Sequence, residues 1–184
     1  MIVYLHGFNS SPQSHKARIL QRYMDGRGLA REFACPPLPV SARQAIRAAE
    51  GCATGEGTCY VGSSLGGFYA TWLVERHGGR AVLINPAIDP YAGLRDHLGP
   101  QKNLHTGEPY ELTESHLGEW REIYTQEITP RRYLLLVETG DEVLDYRRAV
   151  ERYAGAQQVV VQDGDHSLRS FEEHLPRILK FAGY

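Results

Sequence analysis

The stretch Cys59-Tyr60-Val61-Gly62-Ser63-Ser64-Leu65-Gly66-Gly67-Phe68-Tyr69-Ala70-Thr71-Trp72-Leu73 decides the fold. Thr58 to Val61 is a short apolar run and reads as a buried strand. From Gly66 to His77 the chain is rich in Phe68, Tyr69, Trp72 and Leu73 and reads as a buried helix. Between them lies a serine flanked at two residues on either side by glycine. A strand that turns sharply into a helix needs small residues at those two places, because the turn crowds its neighbours. Gly62 and Gly66 occupy them around Ser64. Around Ser63 the same places hold Val61 and Leu65, so sterics select Ser64. Such a turn leaves its serine in a strained backbone with the hydroxyl presented for attack. A glycine-rich turn that merely packs closely is the bland alternative, and the strand before and helix after weigh against it.

Working outward, short apolar runs alternate with helix-like segments. Ile2 to Leu5 reads as a strand ending at His6-Gly7. Ser14 to Arg27 reads as a helix with an apolar stripe from Ala17 to Met24, ended by Gly26 and Gly28. Glu32 to Ala34 is a weak strand closed by Pro36, Pro37 and Pro39. Ser41 to Ala53 is a helix capped by Ser41. Strands follow at Ala81 to Ile84, Arg132 to Val137 and Gln158 to Val161, with helices at Tyr146 to Ala154 and Ser170 to Phe181. Alternation of this kind implies right-handed crossovers and a mostly parallel sheet of about six strands, covered by helices on both faces. The 184 residues fit one domain. Between about 87 and 129 the rhythm breaks. Four glycines and the apolar residues Tyr91, Leu94, Tyr110, Leu117 and Trp120 are scattered through a polar segment, which reads as a small lid over the strand ends.

A serine hydroxyl is a weak nucleophile without a base, and the base needs an acid to orient it. In a strand-to-helix serine site the chain order is serine, acid, histidine. Of the eight histidines, His166 alone lies in a loop directly after a late strand. Asp141 follows Leu134-Leu135-Leu136-Val137 in a turn, and is the candidate acid. Glu142 and Asp145 compete with it, since a shift of one residue in a turn changes which carboxylate points inward. Asp163 and Asp165 lie too near the histidine in sequence to be its separate-loop partner. Two backbone N–H groups are needed for the developing oxyanion. Leu65, next to the nucleophile, supplies one, and Phe8, in the loop after the first strand, supplies the other. His6 precedes the nucleophile and reads as a brace for that loop.

The remaining composition narrows the classes. Hydrophobic residues make up 42% and charged residues 23%, a globular balance. A net charge of -2 gives no electrostatic case for nucleic acid. The three cysteines, Cys35, Cys52 and Cys59, form neither a disulfide framework nor a zinc motif, and suit a reducing cytoplasm. No apolar run approaches the ~20 residues that span a bilayer. The opening Met1 to Gly7 lacks the basic start and long apolar run of a signal peptide. There is no GxGxxG, no Gly-Lys-Ser/Thr and no HExxH. Neither cofactor nor metal is expected.

Taken together, His6-Gly7-Phe8-Asn9-Ser10-Ser11, the run Gly62 to Thr71, Asn85-Pro86-Ala87, Thr139 to Tyr146 and Gly164-Asp165-His166 resemble the YqiA-like esterase family over nearly the whole chain. The resemblance implies a compact α/β-hydrolase acting on small esters with short acyl chains, with Ser64, Asp141 and His166 as its triad. Asp165 departs from the uncharged residue expected before the histidine. A thioesterase or acyltransferase with the same triad is the rival within enzymes. A binding module that kept the fold without the chemistry is the rival outside them.

Overall fold

The computed structural model describes residues 1–184. Its strands and helices are β1 (Ile2–Leu5), α1 (His15–Asp25), β2 (Phe33–Ala34), α2 (Ala42–Glu50), β3 (Cys59–Ser63), α3 (Leu65–His77), β4 (Arg80–Ile84), α4 (Pro90–Gly93), β5 (Gly99–Lys102), β6 (Pro109–Leu112), α5 (Glu114–Glu122), β7 (Tyr133–Glu138), α6 (Tyr146–Arg152), β8 (Gln157–Val161) and α7 (Leu175–Ala182). Six strands form one sheet in the order β2-β1-β3-β4-β7-β8, and every neighbouring pair is parallel. The remaining two, β5 and β6, pair antiparallel as a separate hairpin.

The alternation of side chains along a strand explains why the central strands are apolar throughout. Tyr133, Leu135 and Val137 of β7 enter one core, shared with α2, α3, α5 and α6. Leu134 and Leu136 enter the other, shared with α1 and α7. Each of these leucines is fully buried, a contribution of about 1.5–3 kcal/mol per side chain. Helix α3 lies deepest: most of its residues from Leu65 to Val74 are buried. Only its last turn is polar, which is why it shows no apolar stripe.

Helix ends follow local chemistry. Ser41 Oγ accepts from Gln44 N and starts α2, as its position implies. The last helix begins later than the sequence suggests. Residues Phe171–His174 form a 3₁₀ turn, and α7 proper starts at Leu175 with Pro176 in its first turn, a place proline tolerates.

The segment from 87 to 129 folds as α4, a 3₁₀ turn at Arg95–His97, the β5–β6 hairpin and α5. Leu112, Leu117 and Trp120 join the first core. Trp120 Nε1 donates to the buried Tyr69 hydroxyl at 2.7 Å, fixing α5 against α3.

The tightest packing lies at the turn from β3 to α3. A Cβ on Gly62 would sit 2.3 Å from the Gly66 carbonyl oxygen, and one on Gly66 would sit 1.9 Å from the carbonyl oxygen of Leu5. Both obstacles are backbone and cannot swing aside. Gly66→Ala should therefore cost about 3 kcal/mol or more by overpacking. Gly28→Ala meets no atom within 4 Å and has only its positive φ of +74° to strain, about 1–2 kcal/mol. Urea unfolding midpoints of the two variants check this, and equal losses would contradict it.

Candidate active site

Four segments, following β1, β3, β7 and β8 at the carboxyl ends of the sheet strands, carry the predicted residues, at the edge where ligands bind in open parallel sheets. Ser64 follows β3 with φ 54° and ψ −121°. A positive φ is rare for a residue with a side chain. It is sustained by Ser64 N donating to Ile84 O at 3.0 Å, and by Gly67 N and Ala87 N donating to Ser64 O. Ser63, by contrast, is a buried residue of β3 itself. Ser64 is half-buried and its hydroxyl hydrogen-bonds to no other residue. Gly7 faces it closely enough that a Cβ there would lie 3.2 Å from Ser64 Cβ.

The three competing carboxylates separate cleanly. Asp141 Oδ2 accepts from His166 Nδ1 at 2.8 Å. Its other oxygen accepts from the backbone N–H groups of Val143 and Leu144, each at 2.8 Å. The side chain is 1% exposed. Burial pushes its pKa up, but the bonds from His166 and the Leu144 backbone outweigh that and hold it below the ordinary carboxylate value. An ionised carboxylate only accepts, so His166 Nδ1 carries a proton, and in the neutral ring the lone pair is on Nε2. Glu142 instead accepts from the His166 backbone N–H at 3.0 Å. Asp145 caps α6 through Arg147 N. Asp165, the departure noted above, pairs with Arg169 Nε at 2.7 Å and accepts from Ser167 N.

The structure thus joins Asp141 to His166 by a direct hydrogen bond. Ser64 follows β3 and His166 follows β8, at the same edge of the sheet with β4 and β7 between them, and no hydrogen bond joins the two side chains. In ligand-free sites such bonds are often long and tighten only when substrate binds.

The oxyanion candidates are Leu65, next to Ser64 in the chain, and Phe8, next to the Gly7 that faces Ser64. Leu65 N heads α3, where N–H groups have no intrahelical acceptor. Phe8 N likewise has no backbone acceptor. His6 is buried, 4% exposed. Its Nε2 accepts from Leu38 N at 3.1 Å and its Nδ1 faces Gly7 O at 3.1 Å. With Nε2 accepting, Nδ1 is the donor and the ring is neutral. Burial pushes its pKa down in the same direction. His6 therefore braces the loop and has no free nitrogen for proton transfer.

Two residues outside the expected set hold the histidine loop. Asn85, with φ 40°, donates through Nδ2 to the carbonyls of Asp165 and His166, both at 3.1 Å, and accepts from Glu138 N. Glu138 is 1% exposed and closes β7. Its carboxylate accepts from the backbone of Asp165, Arg169 and Ser170 and from the Ser170 hydroxyl, at 2.7–2.9 Å. Burial raises its pKa, but the bonds from Ser170 and Asp165 overcome this and leave it depressed. A glutamate ending a wholly apolar strand was the available signal. No group of three or more His, Cys, Asp or Glu is placed to hold a metal ion, and no helix is long and apolar enough to cross a membrane.

Glu138 gives the site a pH-dependent prop. Its folded pKa is depressed, so its contribution is complete above the unfolded value of about 4.3 and is lost as pH falls through the lower folded value. Glu138→Gln should cost about 2–3 kcal/mol at neutral pH, and the gap from wild type should narrow as the pH drops below that of free glutamate. Urea unfolding across that range reads both effects. A gap independent of pH would contradict the assignment.

With this geometry in place, the fold can be compared with known proteins. A proposed hydrolase of Agrobacterium vitis S4 superposes with a TM-score of 0.71 at 18% identity, covering 98% of this chain and 87% of that one. The mouse alpha/beta hydrolase domain-containing protein 10 gives 0.70 at 17% identity, covering 97% and 87%. The esterase domain of a Rhodothermus marinus protein gives 0.64 at 18% identity, covering 99% and 87%. At such identities the likeness is one of fold, and the fold is that of the α/β-hydrolases. Residues 1–183 match the uncharacterised protein family UPF0227. The chain belongs to that family, the YqiA-like α/β-hydrolases.

Proposed function

We propose that the protein is a serine esterase that hydrolyses small-molecule carboxylic esters in the cytoplasm, without cofactor or metal. The observation that carries this reading is the constellation at the strand ends. A serine in a strained strand-to-helix turn shares the carboxyl-end edge of the sheet with a histidine whose ring is fixed by a buried, ionised aspartate.

In this mechanism Ser64 Oγ attacks the ester carbonyl as His166 Nε2 takes its proton. The N–H groups of Leu65 and Phe8 bind the oxyanion of the tetrahedral intermediate. Asp141 stabilises the imidazolium and remains ionised. Collapse of the intermediate breaks the bond to the alcohol oxygen, which receives the proton from His166 Nε2. Water, activated by the same nitrogen, then attacks the acyl-enzyme and releases the acid and free Ser64. The three free thiols, Cys35, Cys52 and Cys59, agree with a reducing compartment. The short acyl groups implied by the family resemblance make p-nitrophenyl acetate and butyrate the first substrates to assay.

Ser64→Ala should lower kcat roughly 10⁴- to 10⁶-fold on p-nitrophenyl butyrate. Near-wild-type turnover by this variant would remove Ser64 from the mechanism. Asp141→Asn leaves the shape but lets the ring adopt the wrong tautomer, and kcat should fall about 10³- to 10⁴-fold. A matched series of oxygen esters and thioesters tests the bond type. The esterase reading predicts that the oxygen esters are turned over, and hydrolysis confined to thioesters would replace it with a thioesterase.

A further inference from the structure

Beside the oxyanion loop lies a cleft of about 560 Å³, open to solvent on one side. Phe8 of the loop, Leu38 and Val40 of the segment before α2, Leu65 and Trp120 beneath, and Tyr110 of the β5–β6 hairpin line it. Three features define what it can hold.

The first is position. Both oxyanion candidates, Phe8 and Leu65, line the cleft, whereas Ser64 and His166 do not. In the mechanism above, His166 must reach the leaving oxygen, so the alcohol half of the ester lies on the histidine side. The cleft is lined by the loop after β1, which flanks β3 on the side away from β8 and His166, the side to which the acyl half then projects.

The second is size and lining. Its volume falls in the range of about 300–1,000 Å³ that accommodates whole drug-sized ligands, far more than an acetyl methyl group fills. Its aromatic rings stand edge-on: Phe8 lies 6.4 Å from Tyr110 and 6.5 Å from Trp120, with interplanar angles of 80° and 78°. A further ring stacked among them extends a favourable arrangement. No lysine or arginine lines the cleft, and its one charged side chain is Glu108, on the exposed hairpin. His6 also borders it, but is neutral with both nitrogens engaged. An anionic acyl group would lose hydration there and gain no partner.

The third is rigidity. The hairpin is stitched to the oxyanion loop by Tyr110 Oη donating to Asn9 Oδ1 at 2.6 Å, Asn103 Nδ2 to Ser10 O at 3.0 Å and Leu104 N to Asn9 O at 3.1 Å. The wall is formed before substrate arrives, so little ordering opposes binding.

We propose that this cleft is the acyl subsite, and that it selects uncharged acyl groups bulkier than butyryl, aryl-bearing groups foremost. The proposal rests on the serine-esterase reading and replaces the short acyl groups that the family resemblance implies with bulkier ones. For the wild-type enzyme, kcat/KM on p-nitrophenyl 3-phenylpropanoate should exceed that on the acetate by at least about tenfold. Moving the bulk to the alcohol side, from ethyl acetate to 3-phenylpropyl acetate, should give no such gain. The p-nitrophenyl monoester of succinic acid should fall about tenfold below the pentanoate.

Leu38→Trp and Val40→Trp fill the cleft away from the reacting atoms. Each should lower kcat/KM for the phenylpropanoate about tenfold while leaving the acetate within about twofold. If wild type shows no preference for bulky acyl groups, or the filled variants lose acetate and phenylpropanoate turnover in parallel while melting normally, the subsite assignment is overturned and the esterase reading stands. If a filled variant fails to fold, the wild-type acyl and alcohol series still decide the matter. Wild-type protein that hydrolyses none of the esters overturns the esterase reading itself.

Discussion

The contact between Gly66 and the Leu5 carbonyl governs this molecule. It is a meeting of two backbones with no room for a single methyl group between them. Because β1 and β3 are neighbours in register, with Leu5 opposite Gly62, the turn after β3 is driven against the end of β1. That approach brings the loop carrying Phe8 close to the turn that carries Ser64 and Leu65. It also leaves Ser64 at φ 54°, a strain of about 1–3 kcal/mol. The hydrogen bonds to Ile84 and Ala87, and the burial of α3, hold the residue there. The parallel sheet supplies rigid neighbours on both sides, so the strain persists in the folded state.

A second layer of order comes from carboxylates that divide the work at the strand ends. Glu138 gathers the backbone of the loop from Asp165 to Ser170, and a Cβ at Gly164 would meet its carboxylate at 2.0 Å. Glu142 holds the backbone of His166, and Asp141 holds its ring. Asn85 ties the same loop to the end of β4, beside the residue that receives Ser64 N. The histidine is therefore positioned by groups from β4, β7 and the turn after β7. Lys16 Nζ of α1 adds a bond to Ser167 O at 2.8 Å from the opposite side. The aspartate and histidine are aligned because the loop beneath them is pinned through its backbone at Asp165, His166, Arg169 and Ser170.

Much of this was legible in the sequence. Apolar runs such as Leu134 to Val137 are strands buried on both faces, and their alternation with helices fixes a parallel sheet. The glycine spacing around Ser64 is a steric signature, and the structure puts an atom behind each glycine. Other features depended on contacts distant in sequence. Asp141, Glu142 and Asp145 are chemically equivalent in one turn, and only the path of the loop near His166 distinguishes them. Glu138 closes its strand as a polar residue with no stated purpose until the His166 loop folds over it. The hairpin at 99–112 lacks a strong strand pattern, because β5 begins with glycine and proline and β6 begins with proline. Its place is set by the bonds of Tyr110 to Asn9 and of Asn103 to Ser10, each joining parts of the chain about a hundred residues apart.

The central claim is that the strained turn presents Ser64 as a nucleophile activated by His166. Labelling with a fluorophosphonate, which reacts covalently with activated serines, followed by peptide mass mapping, tests it most directly. The account predicts stoichiometric modification at Ser64 in the wild-type protein, with the rate reduced at least about a thousandfold in His166→Ala. Wild-type protein that stays unlabelled, or labels at another serine, would contradict it.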